Sequence, residues 1–437
     1  LEKGEQWKAL RKRFNPGFAP QHLITLLPQI VDKTKIFLSR LDKFAQSGEI
    51  FELDQLATGL TFDIIGSVIL DIDFNAQDPD EAVQNPIVKE FKRLLPYYAG
   101  EEIYQMFMPT YPFRLFRRKR QARRLDKAIQ AVISEKFQDS QRQDQEINKL
   151  GMKSVLALSM QNIDVLSPTL LQETSDQIKS FLFAGHDTTS ILMQWAIYQL
   201  LLHPQALATL RAELDTVLGQ DADTPTSILE RGESALRKLN YTSAIIKETL
   251  RLFPPAGSAR LAVEGEGLDL RLDDGRIINA DGMVLYLCHY AIQRDEKVYG
   301  PDAAEWQPER WVGNVETSME ATNDNLKKDK DLGGIPPSAW RPFERGPRNC
   351  IGQELANLEA RVILACVARR YRFEKVGMGA VVDGTVVGEP LRNVSCLLIS
   401  CIDIRIQAEL IFRSIEMADN GKTIRLHEDE DPYVIAN

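Results

Sequence analysis

The chain has 437 residues, 44% hydrophobic and 26% charged, an ordinary globular balance with length enough for a large core in one domain or two. A net charge of −9 makes nucleic acid a poor partner. Five cysteines, Cys288, Cys350, Cys366, Cys396 and Cys401, form no C-x-x-C pair and no even framework, which argues against zinc and against a disulfide scaffold and leaves reduced, intracellular thiols as the default.

The chain begins at Leu1 in charged helical sequence, in the manner of a fragment that lacks its true N-terminus. No apolar run approaches the roughly 18 residues of a membrane span. Gly4 to Phe14 is predicted helical and is stopped by Asn15-Pro16-Gly17. Trp7 and Arg11, four apart, share a face of it, while Lys8, Lys12 and Arg13 fall largely on others. From Pro20 to about Arg123 the pattern is helical: Ile30, Phe37, Leu38, Leu41 and Phe44 recur at helical spacing, and Phe51 to Leu70 is a second apolar-faced segment. An acidic turn from Ala76 to Gln84 precedes Asn85-Pro86 and a helix through Tyr98. Phe113 to Gln143 carries a basic run, Arg117-Arg118-Lys119-Arg120 through Arg123-Arg124, which either grazes anionic lipid headgroups or is a solvated face.

A long helix is predicted from about Ser167 to His203, with Phe181-Leu-Phe-Ala-Gly-His-Asp-Thr-Thr-Ser190 at its centre. Two β-branched threonines and a glycine are poor helix material. Thr188 can turn its hydroxyl to the carbonyl of Ala184, opening a polar notch, and Gly185 removes bulk beside it, leaving room for a small ligand. Asn240 to Phe253 is a further helix carrying Glu248 and Arg251, followed by Pro254-Pro255; a second arginine arrives in Pro308-Glu-Arg310-Trp311. Leu268 to Leu272, Arg276 to Asn279 and Met283 to Ala291 read as short strands around Asp-Gly turns, and Ala321 to Ile335 as a polar surface loop. Phe343-Glu-Arg-Gly-Pro-Arg-Asn-Cys-Ile-Gly352 then sets a lone cysteine, Cys350, in a tight loop before a helix from about Ile351 to Arg370. Glycine-turn amides, the helix N-terminus and Arg348 all favour a thiolate there. Tyr371 to Val376 starts terminal strands; beyond Gly377, Gly377-Met-Gly379 is no nucleotide fingerprint, and Val381 to Ile404 and the acidic tail Glu428 to Asp431 match nothing clearly.

The pattern F-x-x-G-x-R-x-C-x-G, together with W-x-x-x-R at Trp7 and Arg11, Ala184 to Thr189, and Glu248, Arg251 and Arg310, resembles the cytochrome P450 family. The resemblance implies a mainly α fold with small β-sheets. Residues 1–437 would form a single domain that starts at about the third helix, without the N-terminal anchor, the first sheet strands and the early helices, and with an atypical part at 377–437. It makes Cys350 the axial thiolate on the iron of haem b (iron protoporphyrin IX), with Gly346 and Gly352 shaping the loop and Phe343 packed beside the sulfur. Trp7, Arg11, Arg348 and Arg260 would bind the propionates. Ala184 and Gly185 would flank O₂, and Asp187 and Thr188 would deliver protons to it. Glu248, Arg251 and Arg310 would be a buried structural triad that locks the surroundings of the cysteine loop.

The implied activity is that of a haem-thiolate monooxygenase of the eukaryotic microsomal, fungal type: R–H + O₂ + NADPH + H⁺ giving R–OH and water. Electrons would come from NADPH–cytochrome P450 reductase, docking near the helix of Trp7. The substrate would be a lipophilic small molecule such as a polyketide, terpenoid, fatty acid or sterol, with secondary metabolism as one setting, and the intact protein would sit on the cytosolic face of the endoplasmic reticulum membrane. Two alternatives stay open, a haem-thiolate isomerase or dehydratase and an inactive haem-binding fragment.

Overall fold

The computed structural model describes residues 4–98, 108, 110–143, 153–161, 163–220, 223–272, 274–312, 335–336 and 338–376, and the strand positions 381–382, 385–386, 411–413 and 422–423. The loop Ala321 to Asp331 through residue 334, the Gly377-Met-Gly379 stretch, most of Val381 to Ile404 and the acidic tail lie outside the described residues. The chain divides into two compact units, residues 1–242 with 351–437, and residues 243–350.

The first unit is helical: α1 (Gly4–Phe14), α2 (Pro20–Leu23), α3 (Leu27–Ser47), α4 (Leu53–Ile65), α5 (Pro86–Leu94), α6 (Tyr111–Gln143), α7 (Val155–Ser159), α8 (Pro168–Leu202), α9 (Pro204–Leu218), α10 (Thr224–Leu236) and the start of α11 (Asn240–Leu252) precede the break. Helix α3 buries Ile30, Val31, Thr34, Phe37, Leu38 and Leu41 along one stripe and ends where Gly48, at φ 73°, donates to the Phe44 carbonyl at 2.9 Å. Helix α4 runs on into a π-helical turn, Gly66–Leu70. Leu53–Leu70 is thereby long and apolar enough to pass as a membrane span by length and composition, which corrects the sequence reading that no run approaches that length; 83% of it is buried inside the protein, the mark of a core helix.

Helix α8 starts on Ser167, whose Oγ accepts from Leu170 N at 3.2 Å, with Pro168 at the first helical position. Its second half, Ser190 onward, is buried almost all round, and along its length α8 packs against α4, α6 and α14 (Gln353–Arg370). Helix α14 buries Leu355 and nearly everything from Leu358 to Ala368, and Arg370 at its end pairs with Asp42 of α3. The small sheets here are marginal: β1 (Phe51–Glu52) and β7 (Glu374–Lys375) flank β10 (Ile411–Arg413) antiparallel, β6 (Tyr371–Arg372) pairs β11 (Lys422–Thr423) in parallel, and β8 (Val381–Val382) pairs β9 (Thr385–Val386).

The second unit takes up α11 at Ser243 and adds two hairpins. In the first, β2 (Ser258–Leu261) pairs antiparallel with β5 (Val284–Leu287), Arg260 opposite Leu285; in the second, β3 (Asp269–Arg271) pairs with β4 (Ile277–Asn279). The predicted strand through Ala291 stops earlier, at Leu287. There the Cys288 carbonyl accepts from Ala291 N and Ile292 N at 3.1 and 3.0 Å and closes a helical turn, α12 (His289–Ile292). After α13 (Glu296–Tyr299) and a 3₁₀ turn at Pro308–Trp311, the core is Ala244, Tyr299, Ala303, Trp311 and Ile335, with Trp340 packed on it.

Candidate functional site

In the second unit, the loop that carries Cys350 is closed by short backbone bonds: Cys350 N donates to the Phe343 carbonyl at 2.8 Å and Asn349 N to the Gly346 carbonyl at 3.0 Å. Gly346 sits at φ 81°, a conformation that only glycine takes without strain, so this glycine is a requirement of the turn. Gly346, Arg348 and Cys350 are exposed, and Phe343 is half-buried with its ring 6.0 Å from that of Trp340. Gly352 is the residue before α14 and accepts from Ala356 N at 2.9 Å; its φ of −85° does not demand glycine.

Arg260 lies on β2 with its guanidinium held by Ser258 Oγ at 2.7 Å, the Ala259 carbonyl at 3.0 Å and Glu344 Oε2 at 2.6 Å. Glu344 belongs to the cysteine loop itself, and sequence reasoning passed over it. A soft, accessible sulfur donor on a glycine turn, with cationic Arg260 and Arg348 in the same unit to meet carboxylates, fits a haem held through sulfur.

Glu248 and Arg251 are fully buried on α11. Arg251 Nε and Nη2 donate to the two Glu248 oxygens, both at 2.8 Å, and the guanidinium also reaches the carbonyls of Gln293 (2.7 Å), Ala303 (2.6 Å) and Glu305 (2.9 Å). The same carboxylate accepts from Gln307 N at 3.0 Å and Trp311 Nε1 at 2.8 Å. Arg310 completes the cluster less tightly, its Nε 3.6 Å from Glu248 while its Nη1 donates to the Tyr299 carbonyl at 2.8 Å. Gln293 continues the chain of bonds to the cysteine segment, its Oε1 accepting from Arg341 N at 2.9 Å. Trp311 entered the sequence reading only as the end of Pro308-Glu-Arg310-Trp311, without a role, and Gln293 and Lys247 not at all; Lys247 Nζ lies 4.4 Å from the Trp311 ring centre. Burial, and to a lesser degree Arg345, brings the Lys247 ammonium down to about 8.

In the first unit, the centre of α8 carries the second group of candidates. Thr188 Oγ1 donates to the Ala184 carbonyl at 2.7 Å, as its spacing predicts. Neighbouring carbonyls are engaged in the same way: Thr61 of α4 donates to His186, Ser190 Oγ to Asp187 at 2.9 Å, and His186 Nδ1 meets the carbonyls of Leu182 (2.8 Å) and Phe183 (3.1 Å). A carbonyl shared with a second donor holds its own helical N–H less firmly, and five such carbonyls within six residues concentrate that loosening at the notch. Phe183, Ala184 and Asp187 are exposed beside half-buried Thr188, just ahead of the buried second half of the helix.

Gly185 has a reason that the sequence reading did not contain. A Cβ there would meet Ile65 Cδ1 of α4 at 2.6 Å, so the absent side chain is filled by a neighbouring helix. His186, given no role from sequence, is buried against Phe62 at 4.4 Å, and desolvation lowers its basicity. Across from α4, Thr189 is hydrogen-bonded to Glu359 of α14, whose carboxyl burial pushes up to about 8. On α1, Trp7 and Arg11 are half-buried and Arg11 Nε donates to Asn15 Oδ1 at 2.9 Å. On α6, Phe116 and the basic residues Lys119, Arg120, Arg123, Arg124 and Lys127 line a groove of about 540 Å³.

Comparison with known proteins meets this geometry. Residues 1–384 match the family Cytochrome P450, and the match ends close to where the resemblance fades beyond Gly377. The cytochrome P450 monooxygenase acrF of Aspergillus aculeatus is 31% identical over 377 residues, 84% of this chain and 73% of that protein. Cytochrome P450 monooxygenase polC of Polytolypa hystricis is 29% identical over 378 residues, 85% of this chain and 64% of its own length, and human cytochrome P450 4V2 is 28% identical over 386 residues, 85% and 67%. The chain thus spans about two thirds to three quarters of these relatives. It belongs to the cytochrome P450 family, as an oxidoreductase of the monooxygenase class, and haem-thiolate chemistry and the use of O₂ come with that membership.

Proposed function

We propose that the protein inserts one atom of O₂ into a lipophilic small molecule, R–H + O₂ + NADPH + H⁺ giving R–OH, water and NADP⁺, with electrons delivered through NADPH–cytochrome P450 reductase. The observation that carries this reading is Cys350: an accessible thiol on a loop pinned by its own amide, in a chain of this family. Haem b, when bound, supplies O₂ activation. The residues do the rest. Cys350 holds the iron; Arg348, Arg260, Trp7 and Arg11 take the propionates; Phe343 shields the sulfur; Gly346 and Gly352 form the turn; Ala184 and Gly185 shape the α8 surface. Asp187, exposed to solvent, accepts protons, and Thr188 passes them on from a hydroxyl already oriented by the Ala184 carbonyl. Glu248, Arg251 and Arg310 hold the second unit's frame, with Gln293 as the link to Arg341.

Relatives named monooxygenases in two fungi favour a fungal-type enzyme of secondary metabolism, and the basic groove on α6 beside exposed Phe113 and Phe116 suits the cytosolic face of the endoplasmic reticulum membrane. The test is spectroscopic. Haem-loaded protein, reduced and exposed to carbon monoxide, is expected to show the strongly red-shifted Soret band of thiolate ligation, and Cys350→Ser to lose it with its circular dichroism unchanged. A band that survives the substitution sinks the assignment.

A further inference from the structure

Glu344 is one of three non-glycine residues with positive φ among the described residues, at 59°. Side chains avoid that region, and a glycine would occupy it freely. The loop nevertheless keeps a glutamate there, so what its carboxylate does must be read from its contacts. Oε2 accepts from Arg260 Nη2 at 2.6 Å, and Oε1 lies 3.3 Å from His289 Nε2 and 3.6 Å from Arg341 Nε. His289 is itself buried and fixed on its other side, Nδ1 meeting the Ala256 carbonyl at 3.0 Å. One carboxylate thus joins the cysteine loop, β2 and α12, and only 11% of it is exposed, whereas Arg260 is 43% exposed. The donors of Arg260 that Glu344, Ser258 and Ala259 leave over are therefore open, on a guanidinium whose plane is already set.

We propose that Glu344 is a positioning residue for the carboxylate side chains of the haem: it orients Arg260 on β2 so that the free edge of the guanidinium receives a propionate, and it locks the cysteine loop to that arginine. The inference rests on the proposed role of Arg260 and assigns the residue that makes it effective. A preset guanidinium loses less freedom on binding than a mobile one, so the contribution falls on how long the haem is retained.

The experiment follows haem leaving the holoenzyme of the full chain into excess apomyoglobin, for wild type, Glu344→Gly, Arg260→Gln and the double variant. Each is compared with the same protein reconstituted with haem dimethyl ester, which has no free propionates. Glycine suits the left-handed backbone, so Glu344→Gly removes the carboxylate without straining the turn. Expected are haem losses about tenfold faster in either single variant, no further loss in the double variant, and no effect of either substitution on the dimethyl ester. If Arg260→Gln speeds release but Glu344→Gly does not, the inference is overturned while the role of Arg260 stands. If Arg260→Gln has no effect, that role fails and takes the inference with it. Equal acceleration with the dimethyl ester also overturns it, since Glu344 would then only be holding the loop together.

Discussion

Replacing Arg251 by methionine tests the buried cluster of the second unit. Methionine keeps much of the stem and removes the charge, so the damage is electrostatic rather than a large cavity. Glu248 would keep Gln307 N and Trp311 Nε1 but lose both guanidinium bonds, and Arg310 stands too far off, at 3.6 Å, to replace them. The carbonyls of Gln293, Ala303 and Glu305 lose a donor at the same moment. Removing one partner of a buried ion pair costs about 3–5 kcal/mol, and each stranded carbonyl adds about 1 kcal/mol or more where no other donor serves it. The two donors that Glu248 keeps, Gln307 N and Trp311 Nε1, hold the expected loss to about 4 kcal/mol, a large share of the roughly 5–15 kcal/mol by which a domain is stable. Urea unfolding followed by the fluorescence of Trp306, Trp311 and Trp340, all in this unit, reads it directly. Arg251→Lys, which can hold one carboxylate oxygen but not the fork, should fall between. A loss under about 1 kcal/mol for Arg251→Met would refute the reasoning, because no fully buried carboxylate tolerates such a deletion so lightly.

Three further outcomes are expected. Gly185→Ala should destabilise the first unit by about 1–3 kcal/mol through its clash with Ile65, and Ile65→Ala in the same chain should restore part of the loss, measured by thermal unfolding. Thr188→Ala should leave NADPH consumption by the reconstituted enzyme largely intact while product per NADPH drops about tenfold or more; full coupling would remove Thr188 from the proton path. Glu359, buried on α14, has its carboxyl raised from an ordinary 4.5 to about 8, so between those values the folded chain holds a proton that the unfolded chain has released. The stability that it contributes is complete below that window and is lost as pH rises through about 8. Glu359→Gln should flatten this part of the urea midpoint against pH, and a slope identical to wild type would show that the carboxyl is not held neutral.

Much of the architecture was legible because it is local. Ser167-Pro168 announces the start of α8, which runs to Leu202, within a residue of the predicted span at each end. The bond from Thr188 to Ala184 spans one helical turn, so spacing alone predicts it. The triad was legible only through resemblance, and even then without Trp311, although that residue follows Arg310 directly and donates to the same carboxylate. The segment to Leu70 was legible as apolar-faced helix, and its π-helical last turn carries it past Gly66, a residue that usually weakens one, to the length of a membrane span.

What stayed silent shares a physical cause. The partners of Glu344 lie 84 and 55 residues away along the chain, and the contact that requires Gly185 comes from another helix. No period, cap or turn rule couples positions so far apart; the fold brings them together, and a side chain's meaning follows from what it then meets. In Phe343-Glu-Arg-Gly-Pro-Arg-Asn-Cys-Ile-Gly352 the turn at Gly346 can be read from the ten residues themselves, since turn geometry is a property of a short segment. Glu344 in the same segment has no such local use, and its left-handed backbone opposes it. A position where the local preference is overridden is where a distant interaction must be strong enough to hold, and at Glu344 that interaction is the one with Arg260.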